Sequence, residues 1–293
     1  MEAPLYADRE IASQPEVWAQ VADFAPSVLG QLPKKGERVA ITGCGSSWFM
    51  SICYAALRES LGHGETDVWV SSEFNFKRKY DRVIALSRSG TTTEVIETMS
   101  KVSIPSVVIT AIEDSPISEH TTEEIVMPFA DEKSVLQTRW ATAALGLLRI
   151  SLGFDLRSII SDAQTALKSS IDELVDLEQI SFLGRGWCYG IAQEAALKTR
   201  ESAQFWAEAY PALDYRHGPL SISQPGRGVW IFGDAPESLQ KDIRATGAHL
   251  ETSQLDPMAE LIRAQRVAIA IAKKRGVNYD SPRGLARSII LTH

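Results

Sequence analysis

The sequence is poor in several things, and each shortage closes a class of function. It has three cysteines in 293 residues, Cys44, Cys53 and Cys188, with no C-x-x-C spacing. That predicts a reducing compartment, no disulfide framework and no metal site. Positive charge is in the minority: 30 lysines and arginines against 37 aspartates and glutamates leave a net charge of −7. Nucleic acids and anionic membrane surfaces need a basic face, so neither is expected as a partner. No apolar run approaches the length of a membrane span. Met1-Glu2-Ala3-Pro4 has neither a basic start nor an apolar core, so no signal peptide is expected and the expected location is cytoplasmic. The third glycine of a dinucleotide-binding G-x-G-x-x-G is also missing. Trp48 stands there after Gly43-Cys44-Gly45-Ser46-Ser47, too bulky for the close helix–strand contact that motif requires. No cofactor is expected.

What is present is a regular alternation of short apolar runs with helical patterns. Hydrophobic residues make up 44% of the chain and charged residues 23%, as in a globular protein with a sizeable core. Residues 16–32 have helical spacing that Pro26 bends or breaks. Strands are predicted at 38–42, 67–70, 82–86, 106–110 and 124–127, with helices at 48–61, from 95 and at 139–152. This alternation indicates a parallel sheet covered on both faces. After a mostly helical stretch the opening pattern recurs: a strand at 180–183, a second G-x-G turn at Gly184-Arg185-Gly186, then a helix at 191–204. A strand at 229–232 and helices at 236–246 and 258–274 follow. The fold class is therefore α/β, with two doubly wound parallel-sheet (flavodoxin-like) subdomains in tandem. The expected divisions are an N-terminal helical segment (1–33), a first subdomain (34–154), a helical connector (155–178), a second subdomain (179–274) and a C-terminal tail (275–293).

The stretch around which these elements are arranged is Leu86-Ser87-Arg88-Ser89-Gly90-Thr91-Thr92-Thr93-Glu94. It joins a buried strand to a helix, and five of its nine side chains are hydroxyls. A helix N-terminus carries unpaired N–H groups and the positive end of the dipole, and so attracts anions. A capping box from Thr91 to Glu94 accounts for one hydroxyl, not five. Ser46 and Ser47 end the first strand on the same carboxyl edge of the sheet, where α/β proteins bind ligands. Hydroxyls and N–H groups from two such turns suit a phosphorylated polyol.

The second informative stretch is the 191–204 helix. Glu194, Lys198 and Glu201 are spaced i, i+4, i+7 and share one face. By itself that is an ordinary charged face. It is followed by Phe205-Trp206-Ala207-Glu208-Ala209-Tyr210-Pro211, read as an aromatic loop, and then by Arg216-His217-Gly218-Pro219. Glutamate and histidine are side chains that move protons near neutral pH.

At these residues the chain resembles the double sugar-isomerase (SIS) domain family. It is similar to the isomerase half of glucosamine-6-phosphate synthase and to the stand-alone phosphosugar isomerases, deaminases and deglycases. The resemblance runs from Arg9-Glu10-Ile11 to Pro282-Arg283-Gly284-Leu285-Ala286. It implies a sugar-phosphate cradle at Ser87, Arg88, Ser89 and Thr92, and a sugar contact at Ser47. It implies that Glu201 shuttles a proton between C1 and C2, with Lys198 as a second active-site group. It further implies that His217 assists ring opening from the neighbouring subunit of a homodimer. Three departures matter. No glutaminase domain is present, so glutamine hydrolysis is not expected. The synthase's near-terminal imine-forming lysine is replaced by Arg287. A cradle glutamine is replaced by Arg88, which opens the door to a 6-sulfonate in place of a phosphate. The expected activity is aldose–ketose isomerisation of an open-chain 6-anionic sugar, with deamination or deglycation of an amino-sugar phosphate, or non-catalytic phosphosugar binding, as alternatives.

Overall fold

A computed structural model describes residues 5–291. In chain order its helices and strands are α1 (Tyr6–Ala12), α2 (Gln14–Phe24), β1 (Val39–Gly43), α3 (Ser46–Ser60), β2 (Thr66–Val70), β3 (Arg82–Leu86), α4 (Thr93–Met99), β4 (Ser106–Thr110), β5 (Glu123–Val126), α5 (Arg139–Ser151), α6 (Ile160–Lys168), α7 (Asp172–Val175), β6 (Gln179–Gly184), α8 (Cys188–Ala203), β7 (Ala207–Pro211), β8 (Arg227–Phe232), α9 (Glu237–Ala245), β9 (His249–Thr252) and α10 (Pro257–Lys274). Among the described residues no helix is long and apolar enough to cross a membrane. The three cysteines form no disulfide.

The chain divides into two compact units. One holds residues 13–158 and 286–291 and contains a parallel sheet of order β2-β1-β3-β4-β5. β1 and β4 are buried along their whole length and β3 from its second residue on, which is why they read as unbroken apolar runs rather than as alternation. Ala40, Val83, Ala85 and Val108 of these strands pack with Val95 and Met99 of α4 to form one face of the core. Trp18 of α2 donates from Nε1 to Thr142 Oγ1 of the almost wholly buried α5 at 3.0 Å. The second unit holds residues 5–12 and 159–285, with a parallel sheet of order β7-β6-β8-β9. Its core is built from Leu183, Val229, Ile231, Tyr215, Leu239 and Ile243. In both sheets the first strand lies between the second and third, so the strand order reverses beside β1 and beside β6. Ligand crevices of open α/β sheets lie at such reversals, outside the carboxyl ends of the strands.

The structure corrects several local expectations. Proline lacks an N–H and crowds the preceding turn. α2 accordingly ends at Phe24, and 3-10 turns at Ala25–Ser27 and Leu29–Gln31 replace the continuous 16–32 helix. α3 starts at Ser46, two residues before the expected Trp48, so Ser46 and Ser47 belong to the helix. The stretch read as an aromatic loop, 205–211, contains β7 (Ala207–Pro211), a parallel edge strand in register with β6 from Ile180↔Ala207 to Gly184↔Pro211. β9 was not foreseen. The helical N-terminal segment splits between the units after Ala12, and the tail splits after Leu285.

Candidate active site residues

In the β1–β5 unit the crevice at the reversal is framed by the turns after β1 and β3. Gly43 closes β1, and a methyl group built on it would lie 2.8 Å from Ser47 Cβ and 3.1 Å from the Leu86 carbonyl oxygen. Only hydrogen fits there, and this close approach sets Ser47 beside the start of the hydroxyl turn. Ser87 is 3% exposed and donates its N–H to Ile109 O at 3.1 Å. Its Oγ is buried and has no hydrogen-bond partner. A buried hydroxyl without a partner costs free energy that a bound oxygen atom would recover.

Ser89 Oγ accepts from Thr91 N at 3.2 Å and lies 2.9 Å from Thr91 Oγ1. Gly90 takes φ +64°, and a methyl group there would lie 2.2 Å from Ser115 Oγ, so the turn requires glycine on both counts. Thr92 sits at the N-cap of α4, and its side chain makes no cap hydrogen bond. Among the described residues the N–H groups of Ser89, Gly90 and Thr92 donate to no protein oxygen. The tail takes up others. Ile289 O accepts from Thr93 N at 3.2 Å, and Ser288 Oγ accepts from Thr91 Oγ1 at 2.9 Å.

Arg88 does not bring a free cation to this turn, contrary to expectation. Its side chain is buried against an equally buried Glu132, with Nη1 3.3 Å from Oε2. Its remaining Nη hydrogens go to the carbonyls of Ser134, Val135, Leu136 and Arg287. A guanidinium offers five donors in a fixed fork; the Nη donors are taken up inside the protein, and the buried Nε has no hydrogen-bond partner. Here four of the five partners are carbonyls of the 134–136 loop and the tail. Glu132 uses its other oxygen to cap α5, accepting from Thr138 N at 2.6 Å and Arg139 N at 2.9 Å. Arg287 is likewise engaged, paired with Asp131 and donating to the Glu132 carbonyl. In the neighbouring β1 turn, burial pushes the Cys44 thiol above the ordinary range, with Glu94 adding to it against hydrogen bonding with Ser71, and so lowers its thiolate fraction.

In the β6–β9 unit, α8 carries the charged face. Glu194 is fully buried and Lys198 is 2% exposed. Lys198 Nζ lies 2.5 Å from Glu201 Oε2 and 3.6 Å from Glu194 Oε1, so one ammonium serves two carboxylates. Three charged groups, two of them deeply buried, are costly as structure alone. Glu194 was visible in the sequence spacing but was not counted among the candidate site residues. The i, i+4, i+7 pattern contained it, and its burial is what now singles it out. His217 ends a 3-10 turn, Ala212–His217, is exposed, and makes no hydrogen bond to Lys198 or Glu201. Trp206, between α8 and β7, is 64% exposed. Among the described residues no group of histidine, cysteine, aspartate and glutamate could hold a metal ion.

Comparison with known proteins gives these features a setting. No family model matches the chain. The glutamine–fructose-6-phosphate aminotransferase (isomerizing) of Sulfurisphaera tokodaii is 27% identical over 91% of this chain and 52% of its own length. The chain thus spans about half the length of such curated relatives. Among solved structures, glucosamine-6-phosphate deaminase from Thermotoga maritima superposes with a TM-score of 0.82 at 22% identity, covering 98% of this chain and 100% of that one. Tagatose-6-phosphate ketose/aldose isomerase from Escherichia coli gives 0.79 at 18%, covering 99% and 96%. At these identities the two structures speak for the fold, the tandem flavodoxin-like SIS arrangement.

Proposed function

We propose that this chain, a double-SIS protein by sequence similarity and by fold, is an enzyme that moves a proton between C1 and C2 of an open-chain 6-phosphosugar. The observation that carries this reading is the Lys198–Glu201 pair at 2.5 Å on a helix face where Glu194 is fully buried. Paired acid–base groups in a partly desolvated setting are what carbon-acid chemistry requires. Glu201 takes the proton from C2 of an aldose, the electron pair becomes the C1–C2 double bond, and Lys198 protonates O1. Glu201 then returns its proton to C1 while Lys198 recovers a proton from O2, which leaves the ketose.

Ser87, Ser89, Thr92 and the open N–H groups of their turn hold the phosphate, and Ser47 meets a sugar hydroxyl. With the Nη groups of Arg88 taken up inside the protein, these neutral donors carry the anion. Arg287 keeps the tail beside the turn through Asp131. Arginine lacks the amine that forms an imine with an open ketose, so amination of a ketose phosphate is not part of the activity. A homodimer in a cytoplasmic setting fits an exposed His217, which a second copy can use, and an exposed Trp206 next to an edge strand.

Deamination or deglycation of an amino-sugar phosphate is the second reading. It uses the same proton transfer, and the deaminase fold likeness favours it. One experiment tests both: incubate the protein with a panel of 6-phospho and 6-sulfo sugars and their 2-amino analogues in deuterated water. Deuterium at C1 or C2 supports the reading, and released ammonia or amine selects the second form. No deuterium in any sugar overturns it in favour of a binding module.

A further inference from the structure

The connection from β2 to β3 differs from the β3–β4 crossover in the same sheet. β3 reaches β4 through α4, whereas β2 reaches β3 through a 3-10 turn, Ser71–Glu73, and then residues 74–81 without a helix. Aromatic rings stand in for the missing helix. Phe74 lies 4.9 Å from Phe76, 6.3 Å from Tyr80 and 6.3 Å from Trp69, between ring centres. Rings cover the sheet less completely than a helix, and a cavity of about 350 Å³ remains. Val83 of β3 lines it, with Phe74, Phe76 and Tyr80 from the crossover and Lys101 and Ile104 from the segment after α4.

The charge here opposes that of the whole protein. Lys77, Arg78 and Lys79 are consecutive in a chain of net charge −7. Arg78 is committed: it pairs with Asp67 at 2.6 Å and lies over the Trp69 ring at 5.6 Å. Lys79 and Lys101 also line the cavity, and among the described residues neither pairs with a carboxylate. Lys101 Nζ is 5.8 Å from the centre of the Phe76 ring, which is 48% exposed. Exposed aromatic faces seek a flat partner, and unpaired ammonium groups seek an anion. One class of small molecule joins a flat base to phosphate, and the cavity volume falls within the range of small-molecule sites.

We propose that this cavity binds a nucleotide, with its base against Phe74 and Phe76 and its phosphates at Lys79 and Lys101. The site is separate from the hydroxyl turn but shares its supports. Val83 lies near the start of the strand that delivers Ser87, and Lys101 follows the helix that begins at Thr93.

Calorimetry on the full chain tests this, with ADP and UDP as probes and with adenosine, uridine and pyrophosphate as their separate halves. A nucleoside diphosphate should bind more tightly than either of its halves. Lys101→Glu should weaken it about tenfold or more, as for a lost charge-assisted contact. Phe76→Ala should weaken it about five- to a hundredfold, as for a lost base–aromatic stack. Both side chains lie outside the proposed catalytic machinery, so deuterium exchange into a sugar substrate, or an unchanged unfolding curve, reports that each variant is folded. Pyrophosphate binding as tightly as ADP, nucleotide binding unchanged in both variants, or no binding by either nucleotide would each overturn the proposal.

Discussion

Arg88 donates to the carbonyl oxygen of Arg287 at 3.0 Å, so the arginine of the hydroxyl turn holds the main chain of the tail. The same guanidinium pairs with buried Glu132, whose other oxygen caps α5. Three segments of one unit meet on a single side chain. Removing one partner of a buried ion pair leaves the other charge stranded, at a cost of about 3–5 kcal/mol. Arg88→Met should therefore destabilise the protein by that order in urea unfolding. If Arg88 served the anion instead, the variant would keep its unfolding midpoint and lose phosphosugar affinity.

Ser87 predicts the reverse pattern. Its buried Oγ has no partner in the chain, so Ser87→Ala should leave stability unchanged or raise it. The affinity for a 6-phosphosugar should fall by about 1.5–3 kcal/mol, the worth of a hydrogen bond to a charged group. Titration calorimetry and thermal unfolding of the same samples separate the two effects. A loss of stability without a loss of affinity would make Ser87 a structural hydroxyl.

The contrast between these neighbours shows where the sequence was legible. Buried parallel strands such as β1 and β4 announce themselves, because both faces are covered and their central positions, Val39–Ile41 and Val107–Ile109, are apolar. The hydroxyl turn was legible as chemistry, since five hydroxyls exceed what one cap uses. The role of Arg88 was not, because its partners lie 44 to 199 positions away and four of the five are carbonyls, which no side-chain pattern reveals. β7 was missed for a related reason. As an edge strand, Ala-Glu-Ala-Tyr-Pro has neither a full apolar run nor clean alternation, and its preceding Trp206 is exposed. Glu194 lay in plain view on the charged face, but spacing alone does not distinguish a solvated glutamate from one with no exposure.

Glu201 and His217 make a paired prediction. Glu201→Gln keeps the shape and an acceptor for Lys198 but removes the base. Solvent deuterium exchange into the sugar should collapse, with phosphosugar binding little changed. His217→Ala should slow ring opening while leaving exchange into an already open substrate intact. If a second copy supplies His217, mixing the two variants should restore activity in heterodimers, because one of the two sites regains both groups. Confirmed subunit exchange without any complementation would place both groups in the same chain's site.

The last prediction concerns pH and stability in α10. Burial pushes the Glu260 carboxyl above its ordinary value of 4.5, and Glu251 adds to this, against the opposing pull of Arg263 and Ser253. Trp230 donates its indole N–H to the same carboxyl at 3.0 Å. Below pH 4.5 the folded and unfolded chains both hold this proton, and the group has no effect on the balance. Above that pH the unfolded chain ionises first, while the folded chain resists, so stability falls as pH rises through the raised folded value. Glu260→Gln keeps an acceptor for Trp230 and removes the titration. Thermal unfolding from about pH 4 to about pH 8 should show the variant gaining on the wild type as pH rises. A variant that instead loses ground towards neutral pH would mean that attraction to Arg263 outweighs burial at this position.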